Sequence, residues 1–125
     1  MKNNSISIII PAFHYGASLY KVISSIQNQT ESFYEIIIVD SSLNEEVFNT
    51  VNDPNFNSLN INYIKVDQAF PGEARNIGAN RAQGDWLAFL DSKTVPEKNW
   101  LETCFKMIKS QNVDVVFGLT EYKGN

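Results

Sequence analysis

Residues able to bind phosphate and sugar groups follow several apolar runs of this 125-residue sequence. Asp40 comes directly after one such run, and Asp91 and Lys93 follow another. Arg75 lies in the first turn of a helix that we predict to start at Pro71. Carboxylates accept hydrogen bonds from hydroxyl and N–H groups, whereas arginine, lysine and a helix N-terminus favour phosphate oxygens. Together these residues could bind a ribose, a uracil edge and a diphosphate.

The elements that position these residues are predicted from five apolar runs with β-branched residues, at residues 6–10, 35–39, 61–66, 86–90 and 113–117. Continuous apolar runs of this kind are typical of strands that are buried on both faces of a parallel sheet. Helix-like stretches separate the runs. The alternation predicts a single α/β domain over residues 1–125, with right-handed crossovers and helices on both faces of the sheet.

Sequence signals also predict where the helices begin and end. The first helix carries an apolar stripe at helical spacing, formed by Leu19, Val22, Ile23 and Ile26. Ser42 and Glu45 have the spacing of a capping box, which predicts a short second helix after them. Pro71 is expected to open the third helix and Gly84 to cap its C-terminus. Pro96 is expected to start a fourth helix.

The carboxyl ends of the predicted strands indicate where a ligand should bind. In open α/β sheets, ligands lie in the crevice beyond these ends, because loops and helix N-termini converge there. The candidate residues at this edge are Pro11, Ala12, Phe13, Asp40, Arg75, Asp91 and Lys93. Plainer explanations stay open, since the aspartates also suit loops or caps and the arginine also suits an exposed helix surface. His14 is interpreted as an exposed loop residue, because no second histidine exists to complete a metal site.

The composition argues against several classes of protein. A formal net charge of -4, without a cluster of lysine and arginine, disfavours a nucleic-acid partner. Cys104 is the only cysteine, so no disulfide can form within the chain, which fits a reducing cytoplasm. No apolar run approaches the ~20 residues that a membrane-spanning helix needs. We therefore expect a cytoplasmic protein without a membrane segment in this chain.

Two stretches of the sequence resemble family 2 glycosyltransferases of the GT-A fold. SIIIPAF, followed by an amphipathic helix and EIIIVDSS, is similar to the opening of that family, and PGEARNIGANRAQGDWLAFLDS, residues 71–92, resembles the segment that leads into its D-x-D motif. The resemblance covers essentially the whole chain. It implies a Rossmann-like, mostly parallel sheet. It also implies transfer of a sugar from a nucleotide-sugar donor, such as a UDP-sugar, to a saccharide or lipid-linked acceptor with inversion.

The resemblance implies a role for each candidate residue of the nucleotide site. The loop of Pro11, Ala12 and Phe13 would border the base, and Asp40 would bind the edge of uracil or an equivalent base. Arg75 would reach the base or the diphosphate. Similar enzymes place these groups around one nucleotide-sugar donor.

The D-x-D motif and two other positions depart from the family pattern. Asp91 would occupy the first acidic position, contact the ribose and help to hold Mn²⁺ or Mg²⁺ on the diphosphate. The second acidic position is Lys93, which would repel a metal ion. Two explanations stay open for this lysine: it neutralises the diphosphate itself, or its side chain turns to solvent. His14 stands where the family usually has asparagine, and Ser41 replaces a second aspartate.

The general base is not assigned to any residue of the sequence. In similar enzymes the acceptor site and this base follow the fifth strand, so we expect them beyond Asn125, and Asp114 is a poor candidate by direction. The chain is then part of a longer transferase, which would work at the inner face of the membrane, or a noncatalytic nucleotide-binding or interaction module. A free sheet edge would favour a homo-oligomer. A receiver-type signalling domain fits the α/β order but would need paired acidic residues near the first strand.

Overall fold

A computed structural model describes residues 5–111 and contains one parallel sheet of four strands in the order β3-β2-β1-β4. The strands are β1 (Ile6–Ala12), β2 (Glu35–Asp40), β3 (Ile61–Lys65) and β4 (Trp86–Phe89). The predicted α/β class and four of the predicted strands are confirmed, with ends that differ by two residues or fewer. The fifth predicted strand, residues 113–117, lies outside the described residues.

Helices connect the strands as the alternation predicts. They are α1 (Gly16–Gln27), α2 (Glu46–Val51), α3 (Pro71–Arg81) and α4 (Trp100–Gln111), with a single 3₁₀ turn at Pro54–Phe56. The order β3-β2-β1-β4 changes direction at β1, because β2 and β4 lie on opposite sides of it. None of the helices within residues 5–111 is both long and apolar enough to cross a membrane.

Helices cover both faces of the sheet, as predicted. The larger apolar cluster lies between the sheet and helices α1, α2 and α4, and its strand residues include Ile8, Ile10, Ile36 and Ile38. The smaller cluster lies under α3 and contains Ile9, Ile37, Val39 and Ala74. Because β1 and β2 are buried on both faces, every apolar side chain along them contributes, at about 1.5–3 kcal/mol for a fully buried isoleucine or valine.

Helix α3 lies close on the sheet because its inner face carries small residues. Pro71 occupies the first turn, as predicted, and Ala74 and Gly78 are buried. A Cβ atom on Gly78 would lie 2.5 Å from Cγ2 of Ile9, so a larger residue would push the helix away from β1. The close approach at Gly78 fixes α3 relative to Ile9 of β1 and Val39 of β2.

The predicted capping box of Ser42 and Glu45 is wrong. Helix α2 begins at Glu46, and its N-cap residue Glu45 makes no side-chain cap hydrogen bond. Ser42 is buried, and its hydroxyl instead accepts a hydrogen bond of 2.6 Å from the backbone N–H of His14. A long-range contact with the preceding loop has replaced the local one.

Gly84 does not cap α3. The C-cap residue is Ala82, in an extended conformation with φ of -68°. A Cβ atom on Gly84 would lie 2.7 Å from Oγ and 2.8 Å from N of Ser7, so the glycine is required by the approach of this loop to β1.

The fourth helix begins at Trp100, and not at Pro96 as predicted. Gln29, which follows α1, holds the intervening segment out of the helix. Its amide donates to the carbonyl oxygen of Glu97 at 2.7 Å and accepts from the backbone N–H of Leu101 at 3.0 Å. The backbone N–H of Thr30 adds a bond of 3.1 Å to the carbonyl oxygen of Lys98.

Candidate functional site

A cavity of about 680 Å³ lies at the carboxyl edge of the sheet. Its walls come from the segments that follow β1, β2, β3 and β4, which is the crevice expected for an open α/β sheet. The volume falls within the range of small-molecule binding sites in proteins. The five predicted residues that line it are Pro11, Phe13, Arg75, Asp91 and Lys93.

Ala12 and Asp40, the other two predicted residues, are buried beside the cavity and do not line it. Ala12 is 3% exposed, and its carbonyl oxygen accepts a hydrogen bond of 3.0 Å from the backbone N–H of Ser41. This bond continues the pairing of β1 with β2 by one residue. Ala12 therefore sets the distance between Pro11 and Phe13 on one side of the cavity and Ser41 on the other.

The carboxylate of Asp40 is fully buried and has partners at both oxygens. Oδ1 accepts a hydrogen bond of 2.8 Å from the backbone N–H of Ser42, and Oδ2 accepts one of 2.5 Å from the hydroxyl of Tyr63. Lys65 lies 3.9 Å from Oδ2 and donates to the carbonyl oxygen of Ser42. The carboxylate thus joins the ends of β2 and β3, and its direct contact with a base stays a prediction.

Tyr63 acts as a protonated donor in this network. Burial, together with the hydrogen bond and the negative charge of Asp40, raises the pKa of Tyr63 well above its ordinary value of 10. The hydroxyl therefore keeps its proton at physiological pH and remains able to donate to Asp40. Nothing in the sequence distinguishes Tyr63 as part of this network, because a tyrosine within a strand is ordinarily a packing residue.

The loop between β1 and α1 has a backbone conformation that is rare for residues other than glycine. His14 and Tyr15 both have φ of 57°. Backbone N–H groups of these residues donate to Ser42 Oγ at 2.6 Å and to Glu46 Oε2 at 3.1 Å. Strain of this kind persists only where surrounding contacts impose it, and here the partners come from the segment that precedes α2 and from its first residue.

The His14 side chain also bonds to the segment between β2 and α2, so the prediction of an exposed histidine is wrong. It is half-buried; Nε2 accepts from the backbone N–H of Leu43 at 3.3 Å, and Nδ1 lies 2.8 Å from Nδ2 of Asn44. The ring also lies against Phe13, with 4.1 Å between the ring centroids. His14 therefore fixes the position of Phe13, which lines the cavity.

Charged residues of both signs border the cavity. Arg75 and Lys93 are the cations among its lining residues, and Asp91 and Glu73 are the carboxylates. Nζ of Lys93 lies 4.1 Å from the centroid of the Tyr15 ring, in a cation–π arrangement. The lysine is exposed and lies against the exposed ring of Tyr15.

The protein oxygens that residues 5–111 place at the cavity do not fit a metal site built by these residues alone. No group of three or more His, Cys, Asp or Glu side chains suited to a metal ion occurs within residues 5–111. Asp91 is the one carboxylate of the modified D-x-D motif, and its Oδ1 accepts a hydrogen bond of 2.8 Å from the backbone N–H of Lys93. Mg²⁺ and Mn²⁺ prefer several oxygen ligands in octahedral geometry, and the lysine repels them.

Apolar side chains at the mouth of the cavity were missed by sequence analysis. Leu43 and Phe70 line it and are 78% and 79% exposed, respectively. Single exposed apolar residues are common, so the sequence offers no signal that separates these from surface residues. Phe70 precedes Pro71 at the start of α3, and that position is the one feature that could have indicated it.

A family model described as "Glycosyl transferase family 2" matches residues 7–125 of the chain. Glycosyltransferase AglE of Haloferax volcanii is 31% identical over 125 residues, an alignment that covers 94% of this chain and 40% of AglE. The chain thus spans less than half the length of this relative.

Solved structures share the fold. S. aureus TarS 1-349 in complex with UDP-GlcNAc superposes with a TM-score of 0.76 at 22% identity, over 86% of this chain and 32% of TarS 1-349. Mannosyltransferase PcManGT from Pyrobaculum calidifontis, in complex with GDP-Man and Mn²⁺, superposes with a TM-score of 0.74 at 17% identity, over 86% of this chain and 33% of that one.

Proposed function

The chain belongs to glycosyl transferase family 2, and from that premise we propose that it forms the nucleotide-sugar-binding part of an inverting glycosyltransferase. The observation that carries this proposal is the cavity at the carboxyl edge, lined by Arg75, Lys93 and Asp91 at the point where the strand order changes direction. The TarS and PcManGT structures, which contain UDP-GlcNAc and GDP-Man, support a nucleoside diphosphate sugar as the donor. We take a UDP-sugar as the donor to test first.

The lining residues suggest how the donor is oriented. Pro11 and Phe13 would border the base, and the exposed ring of Phe70 provides a further apolar surface along the cavity. Arg75 would bind the diphosphate, because a guanidinium group matches paired phosphate oxygens. Asp91 would accept hydrogen bonds from the ribose hydroxyls, and its role as a ligand of Mn²⁺ or Mg²⁺ stays a prediction.

Asp40 has two proposed roles that differ in whether it touches the donor. Its bonds to Ser42 and Tyr63 support a positioning role, since they fix the start of the loop that carries Ser41 and Leu43 along the cavity. A direct bond to the base requires one of these partners to move. The second role stays a prediction from the family resemblance.

In the proposed reaction, an acceptor hydroxyl attacks the anomeric carbon of the donor sugar and the nucleoside diphosphate leaves from the opposite face. The base that removes the hydroxyl proton must lie on the side of the acceptor. We assign no residue to that role, and the acceptor, a saccharide or a lipid-linked saccharide, is proposed from the family alone. The role of this chain is to hold the donor so that its leaving group is neutralised.

A second candidate function is a noncatalytic module that binds nucleotides. Lys93 favours it, because the lysine replaces a carboxylate that similar transferases use for metal binding. Transfer or hydrolysis of a donor sugar by the chain would contradict this candidate.

Three further proposals are independent of the choice between these two functions. They are a single domain over residues 1–125, a cytoplasmic location at the inner face of the membrane, and self-association. The exposed Leu87 and Phe89 of β4 support the last of them.

Substitution of Arg75 tests the proposed function. We expect isothermal titration calorimetry of the full chain to show binding of UDP and UDP-GlcNAc, and Arg75→Ala to weaken it by about 10- to 100-fold through loss of a charged hydrogen bond. Arg81→Ala is the matched control, because Arg81 is also exposed on α3 and does not line the cavity. Absence of binding by the wild-type chain, or equal losses in both variants, would contradict the proposal.

A further inference from the structure

We propose that Lys93 and Arg75 neutralise the donor diphosphate in this chain without a divalent cation, an inference that rests on the proposed function. Both side chains line the same cavity, and both are cationic. Nucleoside diphosphate sugars carry a negative charge on each phosphate group. Two cations that line one cavity, one from α3 and one from the segment after β4, can therefore balance the donor by charge-assisted hydrogen bonds.

The D-x-D motif of this chain has fewer metal-binding carboxylates than the family pattern. Lys93 stands at the second acidic position, and one oxygen of Asp91 is occupied by the backbone N–H of that same lysine at 2.8 Å. Glu73, the other carboxylate of the cavity, accepts from the backbone N–H of Phe70 at 3.4 Å. A divalent ion at Asp91 would have few ligands among the described residues and would lie beside a lysine of the same sign of charge.

Tyr15 restricts where the charge of Lys93 can lie. The ammonium group is 4.1 Å from the centroid of the tyrosine ring. The backbone of Tyr15 is itself fixed, because its N–H donates to Glu46 at 3.1 Å and its φ of 57° is imposed by the surrounding loop contacts. Lys93 is thus held near the cavity before a ligand arrives, which lowers the entropic cost of using a long, flexible side chain.

The start of α3 favours the same arrangement. Pro71 opens this helix of 11 residues and lines the cavity together with Arg75. The N-terminus of a helix carries a partial positive charge, which adds to the two side-chain cations. The negative charge of Glu73 in the first turn offsets part of this effect, so the lysine and arginine remain the main partners of a diphosphate.

Substitution of Lys93 by aspartate tests the proposal, because it restores the second acidic position of the motif. We expect the wild-type chain to bind UDP with affinities that agree within about threefold in Mn²⁺ and in EDTA. Lys93→Asp should bind UDP ~10- to 100-fold more weakly than wild type in EDTA and regain affinity in Mn²⁺. Lys98→Asp is the matched control, since it reverses the same charge in an exposed turn five positions later and outside the cavity lining.

The outcomes separate this proposal from the proposed function. If wild-type binding requires Mn²⁺ and still depends on Arg75, the proposed function stands and metal-free neutralisation by Lys93 is wrong. Equal binding of UDP by Lys93→Asp and wild type in EDTA also overturns the role of the lysine. If the wild-type chain binds UDP in neither buffer, both proposals fail. Circular dichroism of each variant establishes that it is folded before the titration.

Discussion

Strand β2 begins and ends with a buried carboxylate, and the two ends of the strand have opposite surroundings. Glu35, at the amino end, is bound by neutral donors only: Ser7 Oγ at 2.6 Å, the backbone N–H of Gln83 at 2.7 Å and Asn62 Nδ2 at 2.7 Å. These donors come from β1, from the segment before β4 and from β3. The network closes this edge of the sheet and fixes neighbouring strands relative to one another.

Asp40, at the carboxyl end, has a lysine nearby and is buried beside the cavity without lining it. Its donors are Ser42 N–H and the hydroxyl of Tyr63, and Lys65 lies 3.9 Å away. Next to it, His14 and Tyr15 adopt rare backbone conformations. The difference indicates that the amino edge contributes mainly to stability. The carboxyl edge holds exposed residues around a cavity, and the strained backbone there lowers the stability of the fold.

The largest expected effect comes from removing each carboxylate in turn. Glu35→Ala removes three hydrogen bonds, of which the one from Ser7 is buried and those from Asn62 and Gln83 are part-buried, and at about 1 kcal/mol for each lost hydrogen bond we expect a loss of about 3 kcal/mol in the free energy of unfolding. The UDP affinity of the folded variant should match that of wild type. Asp40→Ala should lower both stability and affinity. Urea denaturation measures the free energy of unfolding, and calorimetry measures the UDP affinity. A loss of UDP affinity in Glu35→Ala alone would contradict the assignment of the amino edge to stability.

A smaller effect is expected from Tyr63→Phe, which removes one donor to Asp40 and should lower the free energy of unfolding by about 1–2 kcal/mol. The sign of its pH dependence follows from the raised pKa of Tyr63. Above pH 10, the unfolded state has lost the proton of Tyr63, whereas the folded state keeps it. The contribution of this proton to stability is therefore full below pH 10 and decreases as the pH rises above that value. Urea denaturation from pH 8 to pH 11 should show a steeper decline for wild type than for Tyr63→Phe. Parallel curves would exclude a protonated tyrosine as the stabilising donor.

The smallest effect is expected at the exposed pair of Tyr15 and Lys93. Replacement of Tyr15 by leucine keeps an apolar side chain and removes the cation–π contact, which is worth about 0.5–1 kcal/mol at an exposed site. UDP affinity in EDTA should fall by about two- to fivefold. The double variant that also carries Lys93→Ala should bind UDP as tightly as Lys93→Ala alone. An equal fall in the presence and absence of the lysine would mean that Tyr15 contacts the nucleotide by itself.

Most of the sheet could be predicted from the sequence, because continuous apolar runs and their spacing are local signals. The same runs placed Pro11, Phe13, Arg75, Asp91 and Lys93 at one edge, and all five line the cavity. Predictions failed where a distant partner replaced a local rule. Ser42 bonds to His14 N–H and not to α2, Gly84 packs against Ser7, and Gln29 delays the start of α4.

The sequence by itself determined the α/β class, the family and the set of charges at the carboxyl edge, because these depend on residue order and periodicity. Tertiary structure alone decided which carboxylate is buried and which faces the cavity. Asp40 and Asp91 follow apolar runs in the same way, yet β3 supplies Tyr63 and Lys65 to the first, whereas the second lies beyond β4 and stays exposed. That distinction arises from strand order, since β2 has neighbours on both sides and β4 pairs only with β1 within the described residues.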